Sequence, residues 1–214
     1  MNRDNSENKT RAVKGKTAFS RLREQEKSAR QDVIVDAAQR VFAVKPFNKV
    51  SIRDVAMEAG ISHASIYRYF PDQQALFVEA FLRGAKEIVQ VLDDIVRNSD
   101  QGDIEKVTEE FIIYMIENDQ YFRMMTHFML DGSLSADMVE KLNSMERLLF
   151  AEFDKLFLKM AGAEVGDVRL MSHAFFAALN GVLITFRNYP GRNREEVTRH
   201  MRRVAGIIAN KFKA

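Results

Sequence analysis

Residues 51–70, Ser-Ile-Arg-Asp-Val-Ala-Met-Glu-Ala-Gly-Ile-Ser-His-Ala-Ser-Ile-Tyr-Arg-Tyr-Phe, leave this chain few ways to fold. Ser51 suits an N-cap, and Asp54 three positions on makes a partial capping box. Ala56 is small where two crossing helices must come close. Gly60 falls at the turn between them, where a positive φ carries little steric cost. Ile61 is expected to pack beneath that turn and Ser62 to cap a second helix. Ile66 and Phe70, one turn apart, anchor that helix to a core. The pattern is a helix-turn-helix. A generic αα-corner with a polar outer face is the alternative, and the agreement of Ser51, Ala56, Gly60, Ser62, Ile66 and Phe70 weighs against it.

The surroundings are helical throughout. From Ser28, apolar residues at Val33, Ile34, Ala37, Ala38, Val41 and Phe42 recur at spacings of three and four, until Pro46 ends the pattern. Beyond Asp72 the periodicity predicts helices over 73–97, 103–118, 121–131, 135–160, 167–188 and 193–212, with Asp103 and Asp167 as caps and Pro190-Gly191 separating the last two. No stretch alternates as a strand would. The expected fold is all-α. A basic N-terminal arm (1–27) precedes a three-helix head (28–72) and a helical body (73–214).

Charge divides the chain in the same way. Residues 1–70 hold fourteen basic against eight acidic residues, and residues 71–214 hold eighteen against twenty-two. A basic front on an acidic body suits a polyanion contact at one end. With Ile66 inward and about 100° per residue, Arg68 and Ala64 face away from the core, flanked by Tyr67 and Ser65. His63 stands at the N-terminus of the second helix, where base edges are usually approached. Such a face can serve base-edge and phosphate contacts.

At this point the residues resemble a known family. Ala37-Ala38, Phe42, Phe47, Val50-Ser51, Val55-Ala56, Ala59-Gly60-Ile61-Ser62, Ile66-Tyr67, Tyr69-Phe70 and Leu76-Phe77 are similar to the N-terminal domain of TetR-family regulators. The resemblance covers about residues 28–80. It implies a three-helix DNA-binding head on a dimerising, effector-binding body. It also implies double-stranded DNA with a pseudo-palindromic operator as partner, and repression more often than activation. The residues it places at DNA are Ser51, Arg53, Ser62, His63, Ala64, Ser65, Tyr67, Arg68, Tyr69 and, weakly, Gln73. Two positions depart from the pattern: Pro46 stands where Gly is typical, and Gln73 replaces a common Lys. Arg11, Lys14, Lys16, Arg21 and Arg23 of the arm could track phosphates or enter a minor groove. The alternative is a solubilising tail.

In the body, Ala174, Ala177, Ala178 and Gly181 put small side chains on one helical face, and Val197, Met201, Val204 and Ile208 form an apolar stripe on the next helix, with Phe212 as its possible extension. The resemblance implies that these two helices pair with their mates in a homodimer; burial within a monomer is the alternative. Phe111, Tyr114, Met115, Phe122, Met125, Phe128, Met129, Phe153, Phe157 and Phe176 supply deformable apolar surface for a small hydrophobic effector, with Asn180, His127 and His173 as candidate polar contacts. For any one of them, plain core packing is the competing role. A protein-docking body is a further alternative to an effector pocket.

An enzyme is not expected. There is no cysteine, no Gly-rich phosphate loop, no paired His spacing for a metal and no Glu-x-x-His pair. No cofactor or metal is expected. Without a signal-like N-terminus or an unbroken run of about 18 apolar residues, a cytoplasmic chain without a membrane span is the expectation.

Overall fold

The computed structural model describes residues 17–130, 134–161 and 167–213. Helix α1 (Ala18–Val44) starts ahead of Ser28, so the stretch 18–27 of the expected arm is helical. Hydrophobic periodicity missed this stretch because its side chains are almost all exposed. What holds it is local: Thr17 caps the helix by accepting from Ser20 N at 3.3 Å, and Arg30 pairs with Glu26 one turn back at 2.6 Å. Residues 1–16, with Arg11, Lys14 and Lys16, lie outside the described residues, while Arg21 and Arg23 sit exposed on the first turns of α1. Further along, Ile34, Val35, Ala37, Ala38, Val41 and Phe42 are buried, whereas Val33 is exposed.

A short 3-10 turn, η1 (Phe47–Lys49), leads to α2 (Ile52–Ala59) and α3 (His63–Ile66). Ile52, Val55, Ala56, Ile66 and Phe70 close the head core over α1. Gly60 ends α2 at φ 68°, the left-handed region expected of it. Ile61 departs from expectation: it is 37% exposed at the turn's edge and does not sit beneath it. The turn is closed instead by the backbone, Ile61 N donating to Ala56 O at 3.0 Å.

Asp72 caps α4 (Gln73–Arg97) through Ala75 N at 2.7 Å. This helix serves both parts. Leu76 and Phe77 pack into the head, Phe77 edge-on to Phe42 at 4.8 Å, while Ile88, Leu92 and Val96 lie in the body. Arg83 ties it to α1 by bonds to the carboxylates of Asp32 and Asp36. The body adds α5 (Ile104–Glu117), α6 (Asp119–Leu130), α7 (Ala136–Ala161), α8 (Val168–Phe186) and α9 (Arg194–Lys211). α4 packs on α7 and α5, α5 on α9, and α8 on α7 and α9, while α6 touches α4, α5, α1 and η1. Lys159 of α7 donates to Val96 O and Ser99 O at 2.6 and 2.8 Å, capping the carbonyl end of α4. No strand occurs among the described residues. By length and mean hydropathy (1.3), α8 could cross a bilayer, but Phe175, Phe176, Leu179 and Leu183 are buried inside the bundle.

Gly84 lets α4 come against α6. A Cβ there would stand 2.9 Å from the ring of Tyr121, which stacks on Phe81 at 4.8 Å, and the Tyr114 hydroxyl donates to Gly84 O at 2.8 Å. Overpacking of this kind costs about 1–3 kcal/mol, and the helix-propensity gain of Ala over Gly returns about 1 kcal/mol. Gly84→Ala should therefore lower the urea midpoint without changing the far-UV spectrum. An unchanged or raised midpoint would mean that the Tyr121 ring yields freely.

Candidate nucleic-acid interface

The reading face is assembled from two caps and one anchor. Asp54 accepts from Ser51 N at 2.8 Å and from Ser51 Oγ at 2.7 Å, and Ser51 Oγ in turn accepts from Asp54 N, so the capping box is complete. Lys45, from the end of α1, donates to the same Asp54 carboxylate at 2.6 Å. Lys45 first, and Ser51 after it, hold the Asp54 carboxyl down at about 2. Ser62 caps α3, accepting from Ser65 N at 3.2 Å, with the two serine hydroxyls 2.8 Å apart. Ile66 is fully buried and sets the rotation of α3.

With that rotation, Arg53, His63, Ala64, Tyr67 and Arg68 are exposed, Tyr67 by half its surface. Ser65 and Tyr69 are partly covered. After Ile66 the backbone continues as tight turns, Arg68 N donating to Ser65 O and Tyr69 N to Ile66 O, so Tyr67 and Arg68 lie just past the last regular turn. Four of the expected contact residues make side-chain hydrogen bonds within the head. The hydroxyl of Ser51 is spent on Asp54, and those of Ser62 and Ser65 on each other. Gln73 donates one N–H of its amide to Val50 O at 3.2 Å, bracing the start of α4 against the entry to α2. Arg30 of α1 was missed from sequence. It lines one shallow depression with Arg68, Ser65 and Tyr69, and was hidden because the helix it sits on was expected to carry its information in its buried face.

The second candidate site is a cleft of about 310 Å³ bordered by α4, α6, α7 and α8. Phe81, Ala85, Ile88, Tyr121, Met125, Phe128, Leu142, Leu149 and Phe176 form its apolar wall, with Met129, Asn143 and Glu146 at exposed positions. Burial pushes the Tyr121 hydroxyl well above its ordinary pKa, so it stays protonated. Of the expected effector contacts, only Met125, Phe128, Met129 and Phe176 line this cleft. Phe111, Met115, Phe153 and Phe157 are solid core. Phe122 is buried under the guanidinium of Arg187, 4.5 Å from its ring centroid. Tyr114 is spent on Gly84, and Asn180 donates to Phe176 O at 2.9 Å outside the cleft. His127 is exposed, and His173 packs on Phe150 at the surface. Periodicity identifies which residues turn inward, but not which of them border a void.

The expected dimer surface also changes. Val197 and Met201 are buried on the α9 face that packs on α5, so they belong to this chain's own core. Ala174, Ala177 and Gly181 are exposed on α8 between Leu170 (63%) and Ile184 (61%), with Ala178 partly covered. On α9 the outward apolar residue is Ile207 (62%), with Val204 and Ile208 partly buried beside it. Nothing lies within 4 Å of a Cβ added at Gly181 or Gly206, so this face is open.

The architecture is thus a capped helix-turn-helix with an outward-facing polar helix, joined by one continuous helix to an α-helical bundle. Residues 34–80 match the family described as "Bacterial regulatory proteins, tetR family". A curated relative, the HTH-type transcriptional regulator EthR of Mycolicibacterium smegmatis, is 30% identical over 73 residues, which are 34% of this chain and 29% of that protein. The chain thus spans less than a third of EthR's length, and about half of the length of a Haemophilus influenzae HTH-type regulator. Among solved structures, the TetR family transcriptional regulator PfmR of Thermus thermophilus aligns with a TM-score of 0.57 at 22% identity, over 80% of this chain and 96% of that one. The Bacillus subtilis regulator FadR, solved with stearoyl-CoA, aligns with a TM-score of 0.63 at 15% identity, over 81% and 96%. These two likenesses are of fold. The family match itself is confined to the head, residues 34–80.

Because the Asp54 carboxyl sits at about 2 in the folded head against an ordinary 3.8, its contribution is fully present above the unfolded value and lost as pH falls through the folded one. Wild type should exceed Asp54→Asn in stability by a constant margin above pH ~4, and the margin should shrink towards pH ~2. Urea unfolding of both proteins across that range checks this. A margin independent of pH would remove the ion pair from the account.

Proposed function

We propose that this chain is a sequence-specific DNA-binding transcriptional regulator that works as a homodimer, with a small, largely apolar effector bound in the body. The carrying observation is the outward set Arg53, His63, Ala64, Tyr67 and Arg68, presented by two capped helices and the turn after them, with Ile52, Val55, Ala56, Ile66 and Phe70 turned inward. Arg68 offers a bidentate fork to a guanine edge or a phosphate, Tyr67 a hydroxyl, and Ala64 a methyl that tolerates a thymine. Arg53, at the start of α2, and Arg30 suit backbone phosphates. The basic arm adds cations of the same sign. Domain roles follow: the head through residue 72 reads DNA, and 73–214 binds the effector and the second copy.

The dimer reading rests on the exposed apolar strip of α8 and α9. Leu170, Ala174, Ala177, Gly181, Ile184 and Ile207 leave room for a partner helix at close range. A twofold pair presents two heads to a pseudo-palindromic site with half-sites one helical turn, or a multiple of it, apart. Repression is the better-supported sign, because most of the family represses. The effector reading rests on the cleft: its volume lies at the lower end of the range for small-ligand sites, and its walls are aromatic and methionine side chains. FadR of Bacillus subtilis, with the same fold, was solved with an acyl-CoA, which supports an apolar ligand in a body of this kind.

Operator selection from a random duplex library should yield an inverted repeat. Removing one half-site should cut affinity sharply, and Arg68→Ala should cost about 1–3 kcal/mol with the melting curve unchanged. Selection of no sequence, or equal binding to a single half-site, would overturn the reading. For the cleft, a series of fatty acids and alkylammonium ions screened by thermal unfolding should contain members that raise the melting temperature saturably, a ligand at a hundredfold excess over Kd adding about 2.7 kcal/mol. Met129→Trp, which narrows the cleft from an exposed position, should abolish the rise. A flat response across both series would exclude ligands of those classes.

A further inference from the structure

The end of α5, the start of α6, the α8–α9 connection and the start of α9 border a pocket of about 590 Å³, separate from the outward face of the head and from the apolar cleft. Its charge is lopsided. Arg123, Arg187, Arg192 and Arg194 line it against a single carboxylate, Asp119. That carboxylate is fully used: one oxygen accepts from Arg123 Nε at 2.5 Å, and the other pairs with Arg187. Among the described residues Arg194 reaches a backbone acceptor, Ile116 O, at 3.5 Å, and Arg192 rests over the Tyr189 ring at 4.5 Å. Arg187 is 14% exposed, stacked on Phe122, and its Nε is buried without a hydrogen-bond partner among the described residues.

Guanidinium groups stay charged in proteins. Four of them around one carboxylate in a partly desolvated concavity repel one another, and a buried donor without an acceptor costs free energy. Burial, and then the charge of Arg194, push the Arg187 pKa below its ordinary value. Planar N–H forks match phosphate oxygens bidentately, which a lysine cluster would not do.

We propose that this pocket is a binding site for a small phosphate-bearing molecule of two or more negative charges, gripped by Arg187, Arg192 and Arg194. A monocarboxylate would leave most of the excess charge unbalanced. A duplex backbone could not follow Arg187 into the concavity. The site lies at the end of the body nearer the head, because Asp119 begins α6, which packs on α1 and η1. It is distinct in chemistry from the apolar cleft and does not depend on the effector assigned there.

Inorganic pyrophosphate titrated calorimetrically into the full-length protein, at ionic strength held constant with chloride, tests the site. One saturable event per chain and a rise in melting temperature are expected. Arg192→Gln with Arg194→Gln, both exposed and outside the core, should keep the unliganded melting temperature and weaken binding at least about tenfold, the loss expected for charge-assisted hydrogen bonds. Lys141→Gln, an exposed change elsewhere, should leave it intact. No saturable event in wild type, or equal binding in the double variant, overturns the proposal. So does dissociation of a dimer by the double variant with pyrophosphate affinity unchanged, because the arginines would then serve a subunit contact.

Discussion

The molecule hangs on the burial of α4 along its whole length. This single helix of 25 residues, about 37 Å long at 1.5 Å per residue, carries one apolar face that never lapses. Leu76, Phe77 and Phe81 run on through Ala85, Ile88 and Leu92 to Val96. Its first turns complete the head core and its last turns belong to the body. Head and body therefore share a rigid strut, and Arg83 locks that strut laterally to Asp32 and Asp36 of α1. Strain placed on α4 in the body is therefore carried towards the head, because close-packed interiors have low compressibility.

The wall of the apolar cleft includes the same helix. Phe81, Ala85 and Ile88 face the cleft from α4, and Tyr121, Met125 and Phe128 face it from α6. Gly84 brings those two helices into contact at Tyr121. α6 in turn touches α1 and η1. A ligand between α4 and α6 can bias the head only to the extent that it binds one arrangement of these helices better than another. The geometry supplies the contact through which such a difference would act.

Polar groups in the head are used with economy. Ser51, Asp54 and Lys45 form one closed set, Ser62 and Ser65 another, and Gln73 is tied to Val50 O. These side chains fix the backbone that presents Arg53, His63, Ala64, Tyr67 and Arg68. Serines at caps and serines at a binding face are the same residue type in the same segment. Only their hydrogen-bond partners separate the two roles.

By itself, the sequence determined the helical class, the helix-turn-helix and the direction of its outer face. Those depend on local chemistry: caps at Ser51 and Ser62, the left-handed Gly60, and the 3.6-residue recurrence that turns Ile66 and Phe70 inward. Tertiary structure alone decided the rest. It extended α1 back to Ala18, where an exposed helix leaves no apolar period to read. It sent Phe111, Phe153 and Phe157 to the core and gave the cleft to Phe81, Tyr121 and Leu142. It turned Val197 and Met201 against α5, leaving Ile207 outside, and it gathered arginines 123, 187, 192 and 194 from separate segments around Asp119. Periodicity reports which side of a helix is buried. A void, an interface or a charge cluster depends on which other helices arrive there, and that is a property of packing between distant parts of the chain.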